Sequence, residues 1–243
     1  VTIITSGVEK GTCITNLFKR TPFPDEVIIR PLDIMNKAEI VRRKLAKNRK
    51  ALEESPFNNQ MKLLITKKEA NNPLYLHLAC EELRVFGIFE EVSAFLKKMP
   101  PSISNLLQET LDRLETEHTV DIVATALSLL SLVRNGLMEH ELSGVLAMYF
   151  EAQAPPGGST LPPMVISRLL RSLQSFLQPS GQEDTSILTL AHKDIEKAVR
   201  QRYLRGTAST REKEFHKLLA SYYKTEADLN DQLIANYIQQ YEK

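Results

Sequence analysis

The feature that most constrains the fold of this chain is a β-hairpin predicted between two helices. Phe176-Leu177 precede a polar turn from Pro179 to Asp184, and Ser186 to Leu190 forms a second short apolar run. Two such runs separated by turn residues are typical of an antiparallel hairpin. Helical spacing is predicted on both sides, from Met164 to Leu177 and from His192 to about Leu204. A fold for this chain must therefore place one hairpin among helices.

Three more helical patterns precede this unit, at Ser104 to Glu115, Val120 to Val133 and Met138 to Tyr149. The second is the most apolar segment of the chain, and Asn135-Gly136 is expected to end it. Three helices followed by a helix, a hairpin and a closing helix is the order of a winged helix-turn-helix module. The sequence therefore predicts a winged-helix domain over residues 100–206.

A bundle of four helices is predicted over residues 33–99, because residues that favour helix starts recur along it. Asp33 can cap the first helix, and Ser55-Pro56 and Asn72-Pro73 each combine an N-cap residue with a proline at the first helical position. Gly87 is expected to supply a left-handed cap at the end of the third helix. The four predicted helices are Met35 to Lys50, Pro56 to Lys68, Pro73 to Val85 and Phe89 to Lys97.

The first 32 residues carry a strand pattern instead. Val1 to Thr5 is a β-branched run typical of a buried parallel strand, and Glu26 to Ile29 is the segment predicted to pair with it. A buried strand with so little chain around it suggests a larger domain. We expect residues 1–32 to be the last strands of a domain that lies mostly upstream.

The last stretch, residues 207–243, is predicted to be helical. A capping box at Ser209 to Glu212 marks the first start. Two amphipathic helices are predicted, at 210–224 and 228–241. They are the expected start of a helical array, although a single pair cannot establish a repeat.

Composition and motifs exclude several functions. The 31 Lys+Arg residues balance 30 Asp+Glu residues, so charge gives no prior for nucleic-acid binding. Cys13 and Cys80 stand alone, which favours free thiols in a reducing, cytoplasmic compartment. No apolar run reaches the roughly 18 residues of a membrane helix. The histidines outside the closing helix lie singly, so no metal site is predicted, and no nucleophile with a paired base indicates catalysis.

Several phrases, taken in this order of domains, resemble the STAND class of P-loop ATPases, which includes NACHT proteins and apoptotic-ATPase relatives. Within that class they resemble the vertebrate group that contains telomerase protein component 1, nephrocystin-3 and related tetratricopeptide-repeat proteins. The phrases are Arg30-Pro-Leu-Asp33, Leu52-Glu-Glu-Ser-Pro-Phe-Asn-Asn-Gln60, Asn72-Pro-Leu-Tyr-Leu-His-Leu78, Glu82-Leu-Arg-Val-Phe86 and Leu190-Ala-His-Lys-Asp194. The resemblance implies a mostly α fold: the end of a P-loop α/β nucleotide domain, a four-helix bundle, a winged helix and the start of a helical array.

The resemblance also implies nucleotide-binding residues. Pro73, with Asn72 beside it, matches the helix-start proline that packs near the adenine, and His192 matches the histidine that reaches the β-phosphate of ADP. ATP or ADP is therefore the expected ligand of the parent protein, which resembles a slow ATPase. Protein partners are expected through downstream helical repeats, with no role for nucleic acid or membrane.

Some residues depart from the class. Met-His-Asp is common where this chain has Ala191-His192-Lys193, and a basic sensor residue is common where Ser6-Gly7 stands. No GxxxxGK[ST] phosphate loop occurs in the sequence, so this chain alone is expected to hold no nucleotide and to perform no ATP hydrolysis.

Other interpretations stay open beside a regulatory lid. The chain could be a protein-interaction scaffold without a nucleotide role, with Pro73 serving only as a helix start and His192 as a cap or packing residue. It could also bind nucleic acid through its winged helix. The helix that would read DNA, Val165 to Leu177, carries only Arg168 and Arg171 as cations, which does not favour that interpretation.

Overall fold

The computed structural model describes residues 12–19, 28–154, 161–180, 187–205 and 208–241. Within these ranges the chain forms α-helices and one three-stranded sheet, which confirms the mostly helical prediction. The first helix, α1, spans Thr12–Leu17. The predicted strand Val1 to Thr5 lies outside the described residues.

For the described half of the second strand, Ile28 and Ile29, the prediction is wrong. Ile28 and Ile29 belong to no strand, and 59% and 91% of their surfaces are exposed. A strand needs a neighbour to accept and donate backbone hydrogen bonds, and none lies beside these two residues in the described part of the chain.

Four helices follow, as predicted. They are α2 (Ile34–Ala46), α3 (Gln60–Ile65), α4 (Pro73–Val85) and α5 (Val92–Lys98). The caps expected from the sequence form at two of them. Asp33 accepts a hydrogen bond from the backbone N–H of Asn36 at 2.8 Å, and Asn72 accepts one from that of Leu74 at 2.9 Å. Each satisfies a backbone donor that a helix start would otherwise leave unpaired.

The start predicted for α3 is wrong. Ser55 accepts a hydrogen bond from the N–H of Asn58 at 3.2 Å, which closes a turn instead of starting a helix. The cap is Asn59, whose side chain accepts from the N–H of Lys62 at 2.7 Å. Gln60, buried at the first helical position, also accepts from the N–H of Glu53 at 3.0 Å, so a contact across the loop decides the boundary.

The predicted role of Gly87 is also wrong. It is not among the residues with positive φ, and α4 ends at Phe86 in an extended conformation. A lysine four residues beyond the end of α2 replaces the expected cap. The Lys50 ammonium donates to the carbonyls of Leu83, Arg84 and Phe86 at 2.7–2.9 Å. An ammonium at a helix C-terminus satisfies its carbonyls and opposes the negative end of the helix dipole.

The winged-helix prediction is confirmed by topology. Its elements are α6 (Ile103–His118), α7 (Val120–Leu132), β1 (Leu137–Met138), α8 (Glu139–Gln153), α9 (Pro163–Ser172), β2 (Leu177–Ser180), β3 (Ile187–Leu190) and α10 (Lys193–Tyr203). The hairpin β2–β3 forms as predicted, with Leu177 opposite Leu190, and residues 181–186 between the strands lie outside the described residues. The strand β1 was not predicted. It pairs with β3, so the sheet order is β1-β3-β2.

Helix α6 connects the bundle to the winged helix. One buried hydrophobic cluster extends from α2 to the last helix and includes residues on both sides of α6. On the bundle side, Arg113 donates two hydrogen bonds to the carboxylate of Glu82, each of 2.9 Å. On the other side, Arg202 of α10 donates two to the carboxylate of Glu115, each of 2.7 Å. Paired charge-assisted bonds of this kind fix both distance and orientation. The domain boundaries predicted at 32, 99 and 206 stay predictions.

The last helix, α11, spans Ala208–Tyr241 without a break, so the two helices predicted there are wrong. The segment between them contains neither glycine nor proline, and Thr225 donates its hydroxyl to the carbonyl of Ser221 at 3.0 Å within the helix. Helix α11 packs against α8 at a close crossing. A Cβ atom at Gly144 would stand 2.4 Å from the ring of Tyr222, so only glycine admits the ring there.

Candidate functional site

Three helix starts line one cleft of about 460 Å³. Asn72 immediately precedes α4, Ser104 lies in the first turn of α6, and α10 lines the cleft with one face, from Asp194 in its first turn to Gln201 near its end. These helices begin at Pro73, Ile103 and Lys193, far apart in sequence. Because the N-terminal end of a helix carries partial positive charge, three such ends at one cleft favour an anionic or strongly polar ligand.

Asn72 lines this cleft, and Pro73 follows it in sequence without being one of the lining residues. Pro73 is the first residue of α4 and is exposed, which is the ordinary place for a helix-start proline. The side-chain oxygen of Asn72 caps the helix through Leu74. Its amide nitrogen makes no hydrogen bond to another residue of the described chain. The two N–H groups of that amide can therefore donate to a ligand in the cleft.

His192 caps α10. Its Nδ1 accepts a hydrogen bond from the backbone N–H of Asp194 at 3.1 Å, and its side chain is 47% exposed. A backbone N–H can only donate, so in this bond Nδ1 is the acceptor and Nε2 is the ring nitrogen left to donate. Nε2 is thus a donor that faces away from the cap. His192 itself does not line the cleft, whereas Asp194, two residues later, does.

The charge balance of the cleft is mixed. Glu69 and Asp194 bring carboxylates and Lys197 brings an ammonium. The Glu69 carboxylate is already used, because it accepts a hydrogen bond from the N–H of Ile103 at 2.7 Å and so caps α6. The sequence did not single out Glu69, Ser104 or Lys197. No local pattern marks them, since they meet only through the packing of α4, α6 and α10.

The residues considered for nucleic-acid binding lie on α9, on the exposed side. Arg168 and Arg171 are exposed there, together with Met164, while Ile166 and Leu169 are buried in the core. Two cations on a helix are a small set for reading base edges, which usually takes several Arg, Lys, Asn or Gln side chains.

Two histidines lie at helix contacts rather than in the cleft. His118 ends α6, and its Nε2 is 2.8 Å from the hydroxyl of Ser172 in α9. Burial lowers the pKa of His118, and so, to a lesser degree, does the positive charge of Arg168. Burial also lowers the pKa of His77, which contacts the Lys44 ammonium between α4 and α2.

These two histidines predict a loss of stability in mild acid. Their folded pKa values lie below the unfolded value of about 6.5, so the unfolded chain binds protons first as the pH falls. The free energy of unfolding is therefore expected to be constant above about pH 7 and to fall as the pH drops below about 6.5. Urea titrations between pH 7.5 and 5.5 measure it. The double variant His77→Gln/His118→Gln should flatten the profile, and a wild-type profile without a slope would contradict the prediction.

Within the described residues, no group of three or more His, Cys, Asp or Glu side chains is arranged to hold a metal ion. Among the same residues, no helix is both long enough and apolar enough to cross a membrane.

The family model described as "NWD1-like, winged helix-turn-helix domain" matches residues 90–211, a range that contains α6 to α10. The telomerase protein component 1 of Mus musculus is 35% identical over 199 residues, which cover 77% of this chain and 8% of that protein. The Rattus norvegicus protein of the same name is 36% identical over the same shares. The Homo sapiens NACHT domain- and WD repeat-containing protein 1 is 29% identical over 80% of this chain and 12% of its own length. No solved structure matches the chain.

These matches confirm the resemblance to NACHT-related STAND proteins. The chain corresponds to about a tenth of the length of these relatives, so their whole activity does not transfer to it. The family model covers half of the chain and coincides with the observed order of helices and strands. The chain therefore belongs to the NWD1-like winged helix-turn-helix domain family.

Proposed function

We propose that this chain is the regulatory lid of a NACHT-type nucleotide switch. In this proposal it closes over ADP or ATP held by a phosphate loop elsewhere in the same protein. The observation that carries the proposal is the shared cleft, which joins Asn72 at the start of α4 to Asp194 at the start of α10. The two segments that the resemblance assigns to the nucleotide thus face one space.

Each side chain has a defined role in the closed lid. Pro73 packs against the adenine, and the amide N–H groups of Asn72 donate to the base or ribose. The Nε2 proton of His192 is donated to a phosphate oxygen, because its Nδ1 is occupied by the α10 cap. The three helix starts add partial positive charge near the phosphates.

The switch works through a difference in affinity between two states. ADP binds the closed state, in which α10 reaches the phosphates, and exchange for ATP favours a state in which the winged helix has moved away. A ligand shifts such an equilibrium only by its differential affinity for the two states. The contacts of His192 and Asn72 supply that difference.

The test uses the complete protein that contains this chain together with its phosphate loop. We expect His192→Ala to raise the dissociation rate of a fluorescent ADP analogue about tenfold or more, since a hydrogen bond to a charged group contributes roughly 1.5–3 kcal/mol. Asn72→Ala should raise it by a smaller factor, because a hydrogen bond to the neutral base or ribose contributes roughly 0.5–1.5 kcal/mol. His216→Ala and Asn48→Ala are the matched controls, because both residues are exposed and lie outside the cleft. Unchanged release of ADP from both test variants would rule out the lid.

The isolated 243-residue chain is expected to bind ADP weakly or not at all. The sequence has no GxxxxGK[ST] loop, so it lacks the backbone donors that cradle phosphates. Titration calorimetry with ADP checks this. Micromolar binding by the chain alone would show that the cleft is a complete site and not a lid.

A scaffold role is the second candidate. Lys193 stands where the resemblance expects an aspartate, which weakens the match at the phosphate end. Several relatives are named for WD repeats or TPR repeats. In this alternative the chain is a cytoplasmic protein-interaction segment without nucleotide exchange. Release of ADP from the complete protein that is unchanged by both His192→Ala and Asn72→Ala would favour it.

A further inference from the structure

Helix α10 presents exposed cations to a second groove, which shares Lys197 and Gln201 with the nucleotide cleft. Lys193, Lys197 and Gln201 follow one another at four-residue intervals, and Arg205 lies just beyond the helix end. All four line a groove of about 580 Å³ between α10 and the start of α11. Four residues of helix rise about 6 Å, so the two lysines lie one helical turn apart along the groove.

These cations have no counter-ion in the described chain. None of Lys193, Lys197 and Arg205 forms an ion pair or a side-chain hydrogen bond with another described residue. Glu196 and Glu212, the carboxylates in the described lining of the groove, share one guanidinium. Arg200 lies 3.0 Å from Glu196 and 3.4 Å from Glu212.

The position of Lys193 destabilises helix α10. It is the first residue of α10, where the helix dipole favours an anionic side chain and opposes an ammonium. A cation exposed at that position does not stabilise its own helix. Lys197 and Arg205 likewise have no partner in the described chain. The three cations together indicate a positively charged surface that binds another molecule.

We propose that the α10/α11 groove binds an acidic helical segment of a partner protein. Carboxylates four residues apart on a helix repeat at the same interval of about 6 Å as Lys193 and Lys197. A nucleic-acid strand fits less well, because none of the described residues that line the groove is aromatic and able to stack on bases. This surface goes beyond the lid, and binding to it needs no nucleotide.

The experiment uses the 243-residue chain and a 16-residue fluorescent peptide, (Ala-Ala-Ala-Glu)4, at low salt. We expect saturable binding by fluorescence anisotropy, and we expect Lys193→Glu/Lys197→Glu to weaken it at least about tenfold, because each reversal turns an attraction into a repulsion. The neutral pair Lys193→Gln/Lys197→Gln should weaken it less. Lys193→Glu alone should leave the melting temperature unchanged or higher, which separates lost binding from unfolding.

The matched control is Lys213→Glu/Lys217→Glu, the same reversal at the same spacing on exposed positions of α11 outside the groove. It should change the affinity less than twofold. Equal weakening by the control, equal binding of (Ala-Ala-Ala-Gln)4, or no binding at all would overturn the proposal. Binding of a dT12 oligonucleotide that is as tight and is lost in the same test variant would overturn it in favour of nucleic acid. The assay contains no ADP, so its outcome is independent of the lid.

Discussion

Replacing Gly136 with alanine is expected to lower the free energy of unfolding by about 3 kcal/mol. Gly136 has a φ of 79°, a left-handed conformation that costs an L-residue with a side chain roughly 1–2 kcal/mol. A Cβ there would lie 2.6 Å from the carbonyl oxygen of Leu188 and 2.6 Å from a side-chain carbon of Ile187. Both belong to β3, so relief requires β3 to move, with a further cost of roughly 1–3 kcal/mol.

Urea unfolding followed by circular dichroism measures this loss, and Gly87→Ala is its control. Gly87 has an ordinary φ, and an added Cβ would have no neighbour within 4 Å. Its replacement should change the free energy of unfolding by less than about 0.5 kcal/mol, the usual range for a surface position. An equally small change at Gly136 would mean that the β1–β3 contact is not as close as described.

The second large effect is expected at Arg202, where methionine should cost about 2–3 kcal/mol. Besides Glu115, its guanidinium donates to Gln108 at 2.9 Å and to Asp112, so one side chain joins α10 to three positions of α6. Methionine keeps most of the aliphatic length but leaves the Glu115 carboxylate, only 12% exposed, without its main partner. An uncompensated charge of that kind is the main cost.

An acid titration separates this electrostatic loss from a packing defect. The hydrogen bond from Arg202 lowers the pKa of the Glu115 carboxyl. The stability that this bond contributes is therefore present above the unfolded-state pKa of about 4.3, and it is lost as the pH falls through the folded-state pKa. The Arg202→Met chain should lose less stability than the wild type on acidification below about pH 4.3. Adding Glu115→Gln should recover part of the loss, as a double-mutant cycle measures. Arg171→Met, at an exposed position of α9, should be nearly neutral.

Elements with local start and stop signals were predicted well. Helix α4 has the predicted bounds because Asn72 and Pro73 mark its start within two residues. Helix α7 ends one residue before the predicted Val133. The failures share a cause, which is contact between residues distant in sequence. The two-residue strand β1 exists only because β3, some fifty residues later, pairs with it. The start of α3 depends in the same way on a bond across its own loop.

The candidate site could be predicted only in part. Sequence and resemblance named Asn72, Pro73 and His192, and His192 proved to be a helix cap, one of the two structural roles left open for it. That α4 and α10 begin at one cleft follows from the packing of both on α6, which no local pattern contains. The same holds for Glu69 and Lys197, whose residue types are common on any surface.

Because α11 is long and unbroken, a small rotation near its start moves its far end much further. A helix of 34 residues is about 51 Å long, and its first turns are seated on α8 by the Tyr222 ring against Gly144. The 19 residues beyond Tyr222 extend roughly 28 Å from that contact, so a tilt of about 10° there would carry the far end of α11 through roughly 5 Å. A small rotation at this contact becomes, at the tip of α11, a displacement of about one helical turn.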